Sequence, residues 1–198
     1  MKLKALLLAA FCGGCCIASV SHAMTTSLSV VDPMLEVGTQ MMIRVQVQDV
    51  FDGLDPGDEV LAFGFDVHVS DASVFTFLTA AVAPPFDDDS ALFVDTDVAG
   101  SVFSGIVNTP SNNSLLLAYL TFDVVGTGTG SIEVTSDLFD ANEGLVYLYA
   151  GNLAVFDQLT LTVFGGAAVA GPETSWLLIL GLLLMGMSRR PAGLGKLG

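Results

Sequence analysis

The sequence predicts an all-β domain, a two-sheet antiparallel sandwich or jelly roll of about nine strands, with a closed barrel as the alternative. Three observations carry that prediction. Runs rich in Val, Phe, Thr and Leu recur between clusters of Gly, Pro, Asp and Asn. Several of these runs alternate apolar and polar residues with the period of two that a half-buried strand requires. No stretch between the two apolar ends of the chain shows the 3.6-residue periodicity of an amphipathic helix.

Taken in order, "SLSVV" opens the series. "MMIRVQVQDV" follows, with Ile43, Val45 and Val47 on one face and Arg44, Gln46 and Gln48 on the other. "LAFGFDVHV" sets Phe63, Phe65, Val67 and Val69 against Ala62, Gly64, Asp66 and His68. "VFTFLTAAVA", "SVFSGIVN", "SLLLAYLTFDVV", "SIEVTS", "LVYLYA" and "LTLTVFG" complete the set. "GTGTG" and "TPSNNS" read as the loops between neighbouring strands.

The 52% hydrophobic content would suit a membrane protein, but the apolar mass is concentrated at the two ends. The first 23 residues carry Lys2 and Lys4, an apolar run from Ala5 to Val20, and a closing Ser21-His22-Ala23. Those parts make a secretory signal peptide with cleavage after Ala23; an uncleaved N-terminal anchor is the alternative. Cys12, Cys15 and Cys16 all lie in this leader, so the exported domain forms no disulfide and must be held by its own core. The same distribution removes thiol catalysis and cysteine-bound zinc.

Charge is divided as sharply. Lys2 and Lys4 belong to the leader and Arg189, Arg190 and Lys196 to the tail, leaving Arg44 as the one basic residue between them. Of 21 Asp and Glu, all but Glu173 fall between Asp32 and Asp157. A domain this acidic repels nucleic acid and anionic lipid, which excludes nucleic-acid binding.

"DVFDGLDPGDE" places Asp49, Asp52, Asp55 and Asp58 at three-residue intervals, and such carboxylates on a bent loop could hold calcium. The spacing is not that of an EF-hand loop, and a solvated acidic loop is the plainer reading. "PPFDDDSALFVDTD" gathers Asp87, Asp88, Asp89, Asp95 and Asp97 in the same manner. No other cofactor is expected. No catalytic motif is present, and His68, the sole histidine after the leader, falls on the polar phase of its strand. The domain is therefore expected not to be an enzyme. Tyr119, Tyr147 and Tyr149, with Phe51 and Phe86 in loops, are the candidates for stacking on a sugar ring.

The chain ends on "GPETSWLLILGLLLMGMSRR" from Gly171 to Arg190. Its apolar part, Trp176 to Met187, spans roughly 18 Å as a helix, short of a hydrocarbon layer of about 30 Å. A helix that short crosses by thinning the bilayer, with long side chains reaching the surface. Arg189 and Arg190 form a positive stop that keeps the C-terminus cytoplasmic, and Trp176 suits the opposite interface.

This order of parts resembles the PEP-CTERM sorting signal of Gram-negative bacteria that make exopolysaccharide: a Pro-Glu-Pro motif, a short Leu- and Gly-rich helix and an arginine cluster. Here the motif is Pro172-Glu173-Thr174, with threonine at the third position, and eight residues follow the arginines. The resemblance implies recognition at Pro172 and Glu173 by an exosortase-type membrane peptidase, and membrane retention through Trp176, Arg189 and Arg190. A plain anchor that is never cut is the alternative.

A second resemblance covers residues 26–164. "SLSVVDPMLEVGTQMMIRVQVQDV", the turn with Asp71, Ser73 and Val74, and "SLLLAYLTFDVVGTGTGSIEVT" are together similar to a cohesin-like domain, within a wider group that includes carbohydrate-binding modules. It implies a non-catalytic sandwich that binds a protein or a polysaccharide. The expected organisation is thus a signal peptide at 1–23, the sandwich at 24–164, a flexible linker at 165–171, the sorting signal at 172–190 and a cytoplasmic tail at 191–198. The expected role is a surface or extracellular-matrix protein, exported and first anchored in the inner membrane, and associated with exopolysaccharide or biofilm. The alternative is a carbohydrate- or protein-binding module on an uncleaved anchor.

Overall fold

The computed structural model describes residues 24–32 and 35–165; the predicted leader, sorting signal and tail lie outside them. The described chain is all-β, two antiparallel sheets packed face to face. One sheet holds β1 (Thr25–Val30), β2 (Gln40–Gln48), β7 (Ser114–Val124) and β4 (Phe75–Val82) in the order β1-β2-β7-β4. The larger is built on β3 (Glu59–Val69), β5 (Asp87–Asp88), β6 (Val98–Val107), β9 (Gly144–Tyr147) and β10 (Asn152–Leu153), in the order β10-β9-β3-β6-β5. Its remaining strands are β8 (Gly128–Thr135) and β11 (Phe156–Val163). One edge of β3 is shared: β9 pairs with Val60–Gly64 and β8 with Asp66–Val69, and β11 then adds to β8.

All nine expected strands are present, and the two additions, β5 and β10, have two residues each, too few to show a period in sequence. In β2 the alternation is kept, with Met41, Ile43, Val45 and Val47 buried and Gln40, Met42 and Arg44 exposed. In β7 it is broken. Leu115, Leu117, Ala118, Leu120 and Phe122 are all buried, and the register with β2 shifts between Val45 and Gln46. A bulge absorbs one residue there, so two successive side chains enter the core. This is why "LLLAYLTF" reads as a continuous apolar run.

Phe63, Phe65, Phe75 and Phe122 are the largest side chains sealed between the sheets, with Phe63 edge-on to Phe86 at 4.9 Å. Gly100 lies opposite Phe63 in the pairing of β3 with β6. A Cβ there would stand 2.9 Å from both the Phe63 ring and Val82, so only glycine lets the inner layers close.

Three expectations are corrected. "GTGTG" is not wholly loop, since β8 begins at Gly128 and only Gly126 and Thr127 turn. Phe51 and Phe86 are core residues, 5% and 6% exposed, because their loops fold back over the sheet ends. Tyr147, named above as a candidate for stacking on sugar, is likewise buried where β9 ends, while Tyr149 lies beyond the strand and is exposed.

Candidate docking groove on the larger sheet

Pairing across β9, β3 and β6 aligns small residues on the outward face of the larger sheet. Ala62 lies opposite Val146 on one side and Ser101 on the other; Gly64 lies opposite Gly144 and Ala99. With little side chain standing above the sheet, Ala62, Ala99, Ser101 and Val146 form the floor of a trough of about 240 Å³, while Gly64 and Gly144 lie under neighbouring backbone. Asp89 and Phe93 wall it on one side and Ala141 and Asn142 on the other.

The walls are two loops, 89–97 and 136–143, and both are anchored. The Thr96 hydroxyl donates to the Glu143 carboxylate at 3.4 Å, and the Asp137 amide donates to its second oxygen. Asp97 accepts the amide of Val67 at 2.9 Å, while its own amide donates to Asp66 at 3.3 Å. Asp140 accepts the amide of Asn142 at 2.9 Å. On the other wall Ser101 donates its hydroxyl to Asp89, and the amide of Ala99 donates to Ser90 at 3.0 Å. Gly64 allows the closure: a Cβ there would lie 2.2 Å from the carbonyl oxygen of Asn142.

The anchoring places acids close together. Thr96 and Glu143 are buried, 5% and 2% exposed. Burial pushes the Glu143 carboxyl above the usual range, with Asp66 and Asp140 adding to the rise. Asp66 is raised too, first by burial and then by the charge of Asp97. The backbone amides received by these carboxylates account for their placement: they hold loops. The same two loops carry Leu92, Val94, Leu138 and Phe139 exposed to solvent, Val94 and Phe139 fully so, although none of the four lines the trough itself.

The residues singled out in the sequence fall elsewhere. Asp49, Asp52, Asp55 and Asp58 lie between β2 and β3, and Asp58 is buried. It accepts the amides of Glu59, Tyr149 and Ala150, each at 3.0 Å, and so pins the turn after β9 to the start of β3. Asp55 accepts the amide of Gly57 at 2.8 Å, and Asp49 accepts the side-chain amide of Asn113 at 3.0 Å. Among the described residues, no group of three or more His, Cys, Asp and Glu is placed to hold a metal ion. Asp49 and Asp52 do line a separate polar hollow of about 330 Å³ with Asn108, Thr109 and Asn113. Of the second acid run, Asp89 and Asp97 reach the groove walls and Asp88 caps the turn at Ser90. His68 is exposed, as its strand phase predicts. Pro172, Glu173, Thr174, Trp176, Arg189, Arg190 and Ala23 lie outside the described residues. Among those described, no helix is long and apolar enough to cross a membrane.

Sequence reasoning missed Gly64, Thr96 and Glu143. Their only local trace is a glycine inside the strand pattern of "LAFGFDV", the usual mark of a close backbone approach.

No protein-family model and no curated protein matches the chain. Among solved structures, a cohesin module of a family 33 glycoside hydrolase from Clostridium perfringens aligns over 69% of this chain and 95% of its own, at 11% identity and a TM-score of 0.41. The seventh type I cohesin of ScaB from Pseudobacteroides cellulosolvens aligns over 68% and 88%, at 16% identity and a TM-score of 0.33. The sixth cohesin of scaffoldin B from Acetivibrio cellulolyticus, solved with a dockerin, aligns over 56% and 80%, at 12% identity and a TM-score of 0.34. At these values the likeness is confined to the outline of a β-sandwich. What the chain does must follow from its own side chains.

Proposed function

We propose that this chain is an exported, non-enzymatic protein of the cell surface or extracellular matrix, and that its sandwich docks a partner in the trough above Ala62 and Val146. The observation that carries the docking is the trough itself, a floor of small residues between two anchored walls, in loops that also leave Val94 and Phe139 exposed. A protein surface suits it better than a sugar. The wall loops offer aliphatic and phenyl groups, and the one tryptophan of the chain, Trp176, belongs to the tail. The leader ending at Ala23 and the cysteine-free, acidic domain support export. The order Pro172-Glu173, apolar stretch, Arg189-Arg190 supports sorting by an exosortase-type peptidase in an exopolysaccharide-producing host. A binding module left on an uncleaved anchor is the second reading, favoured by Thr174 standing where a second proline is usual.

Two measurements test this. Mass spectrometry of the mature protein from a host carrying an exosortase should find an N-terminus at Met24 and the arginine cluster removed; a chain still ending at Gly198 supports the uncleaved anchor instead. A photo-crosslinking residue at Val146 should capture a protein partner on cells, and an Ala62→Arg change should abolish the adduct. A glycan array that responds where crosslinking does not would make the partner a polysaccharide. Silence in both would remove the docking role.

A further inference from the structure

We propose that the end of the sandwich from which the C-terminal segment departs rests on a zwitterionic phospholipid surface, with Val37, Val125 and Phe164 at the interface. This rests on the reading of the tail as membrane-held, and adds to it an orientation and a contact surface.

Strand register gathers the patch. β2 begins at Gln40 opposite Asp123, β4 at Phe75 opposite Val124, and β8 at Gly128 opposite Val163. The segment 35–39, the turn 125–127 and the exit at Phe164 and Gly165 therefore share one end of the molecule. Backbone bonds tie them, Gly38 donating to the Val124 carbonyl at 2.7 Å and Val125 to that of Val74 at 2.9 Å. Leu35, Glu36, Val37 and Phe164 surround a hollow of about 490 Å³. Around it Val37 is 49% exposed, Val125 45% and Phe164 80%. Apolar groups that the fold leaves in water at one end call for a covering surface.

The chain itself indicates which surface. Ten residues separate Gly165 from Trp176, where the apolar tail segment begins. A coil of that length averages roughly 17 Å end to end and reaches at most about 35 Å. The eleven residues of β7 alone extend about 36 Å, about twice that average reach and just past its extended limit, so the end bearing Gly165 is the one held next to the bilayer. Charge then selects the lipid. Asp32, Glu36, Asp71 and Asp123 surround the patch, and among the described residues the sole Lys or Arg is Arg44. Carboxylates so placed are repelled by anionic headgroups and matched by the ammonium of phosphatidylethanolamine or the choline of phosphatidylcholine.

The test uses the mature chain from Met24, which carries no cysteine of its own, reconstituted into phosphatidylcholine nanodiscs. Single variants Val37→Cys, Phe164→Cys and Tyr149→Cys each carry an environment-sensitive dye; Tyr149 lies at the far end. Dyes at 37 and 164 should shift to the blue and lose emission to spin-labelled lipid, while that at 149 does neither. Replacing half of the lipid by phosphatidylglycerol should weaken both effects. A chain that co-purifies with the nanodiscs but leaves the dyes at 37 and 164 in water overturns the orientation alone. A chain that does not associate with them overturns the membrane-held tail as well.

Discussion

The carboxylate of Asp58 receives the backbone amide of Tyr149 at 3.0 Å, joining positions 91 residues apart. The same side chain receives Ala150 and Glu59, so one buried acid serves three donors where the start of β3 meets the turn after β9. Asp58→Ala leaves those amides without their acceptor and should lower stability by about 1–3 kcal/mol. Asp58→Asn keeps one acceptor oxygen and should lose less. Urea unfolding of both variants checks the order, and a loss below about 0.5 kcal/mol in Asp58→Ala would mean that the contact is of little consequence.

Gly64 makes the steric prediction. Its missing Cβ would meet the Asn142 carbonyl at 2.2 Å, and that neighbour is backbone. Gly64→Ala must therefore displace the 136–143 wall, at about 1–3 kcal/mol. Amide exchange should quicken across residues 137–143, whereas β2 and β7 should keep their protection. Unchanged exchange in that loop would contradict the close contact.

Glu143 and Asp66 set a pH dependence of definite sign. Both carboxyls lie above their ordinary values of 4.5 and 3.8, chiefly through burial, so the folded state holds their protons more tightly than the unfolded state does. Their contribution to stability is full below those ordinary values and is lost as pH rises through the raised folded ones. Glu143→Gln removes the charge and keeps one oxygen to accept the Asp137 amide, with its NH2 group donating to the Thr96 hydroxyl, which can rotate to accept. The variant should melt higher than the parent near pH 7, and the gap should close toward about pH 4. A gap that widens on acidification would reverse the assignment. Asp71 acts in the opposite sense: the Ser73 hydroxyl, then its amide, hold that carboxyl low, so its contribution is lost as pH falls.

Phe122 tests the core. It is fully buried in β7, with its ring 5.4 Å from that of Phe77. Phe122→Ala should cost about 3–5 kcal/mol through lost transfer energy and the cavity left behind. Thermal unfolding would show it, and a loss below about 1 kcal/mol would mean that the inter-sheet layer repacks freely.

The strands were readable in the sequence wherever one face is buried, because a period of two is a local property. Ile43, Val45 and Val47 face inward as their spacing requires, and His68 faces water. Bulges marked the limit of that rule. In β7, Leu117 and Ala118 both turn inward, and nothing local distinguishes that from a strand buried on both faces. The acid run from Asp49 to Asp58 was visible as a run but not in its roles. Asp58 is a core anchor only because Tyr149 and Ala150 return to it from far along the chain.

By itself, then, the sequence determined the class of fold, the acidic and disulfide-free character of the domain, and the address-like pattern at its two ends, all properties of composition and short-range period. Tertiary structure alone decided where the surface is hollow and where it is apolar. The trough exists because β9, β3 and β6 align Val146, Ala62 and Ser101 side by side. Its walls stand because Thr96 meets Glu143 across 47 positions. Both are contacts between distant residues, and such contacts come into being only when the sheets pair in register.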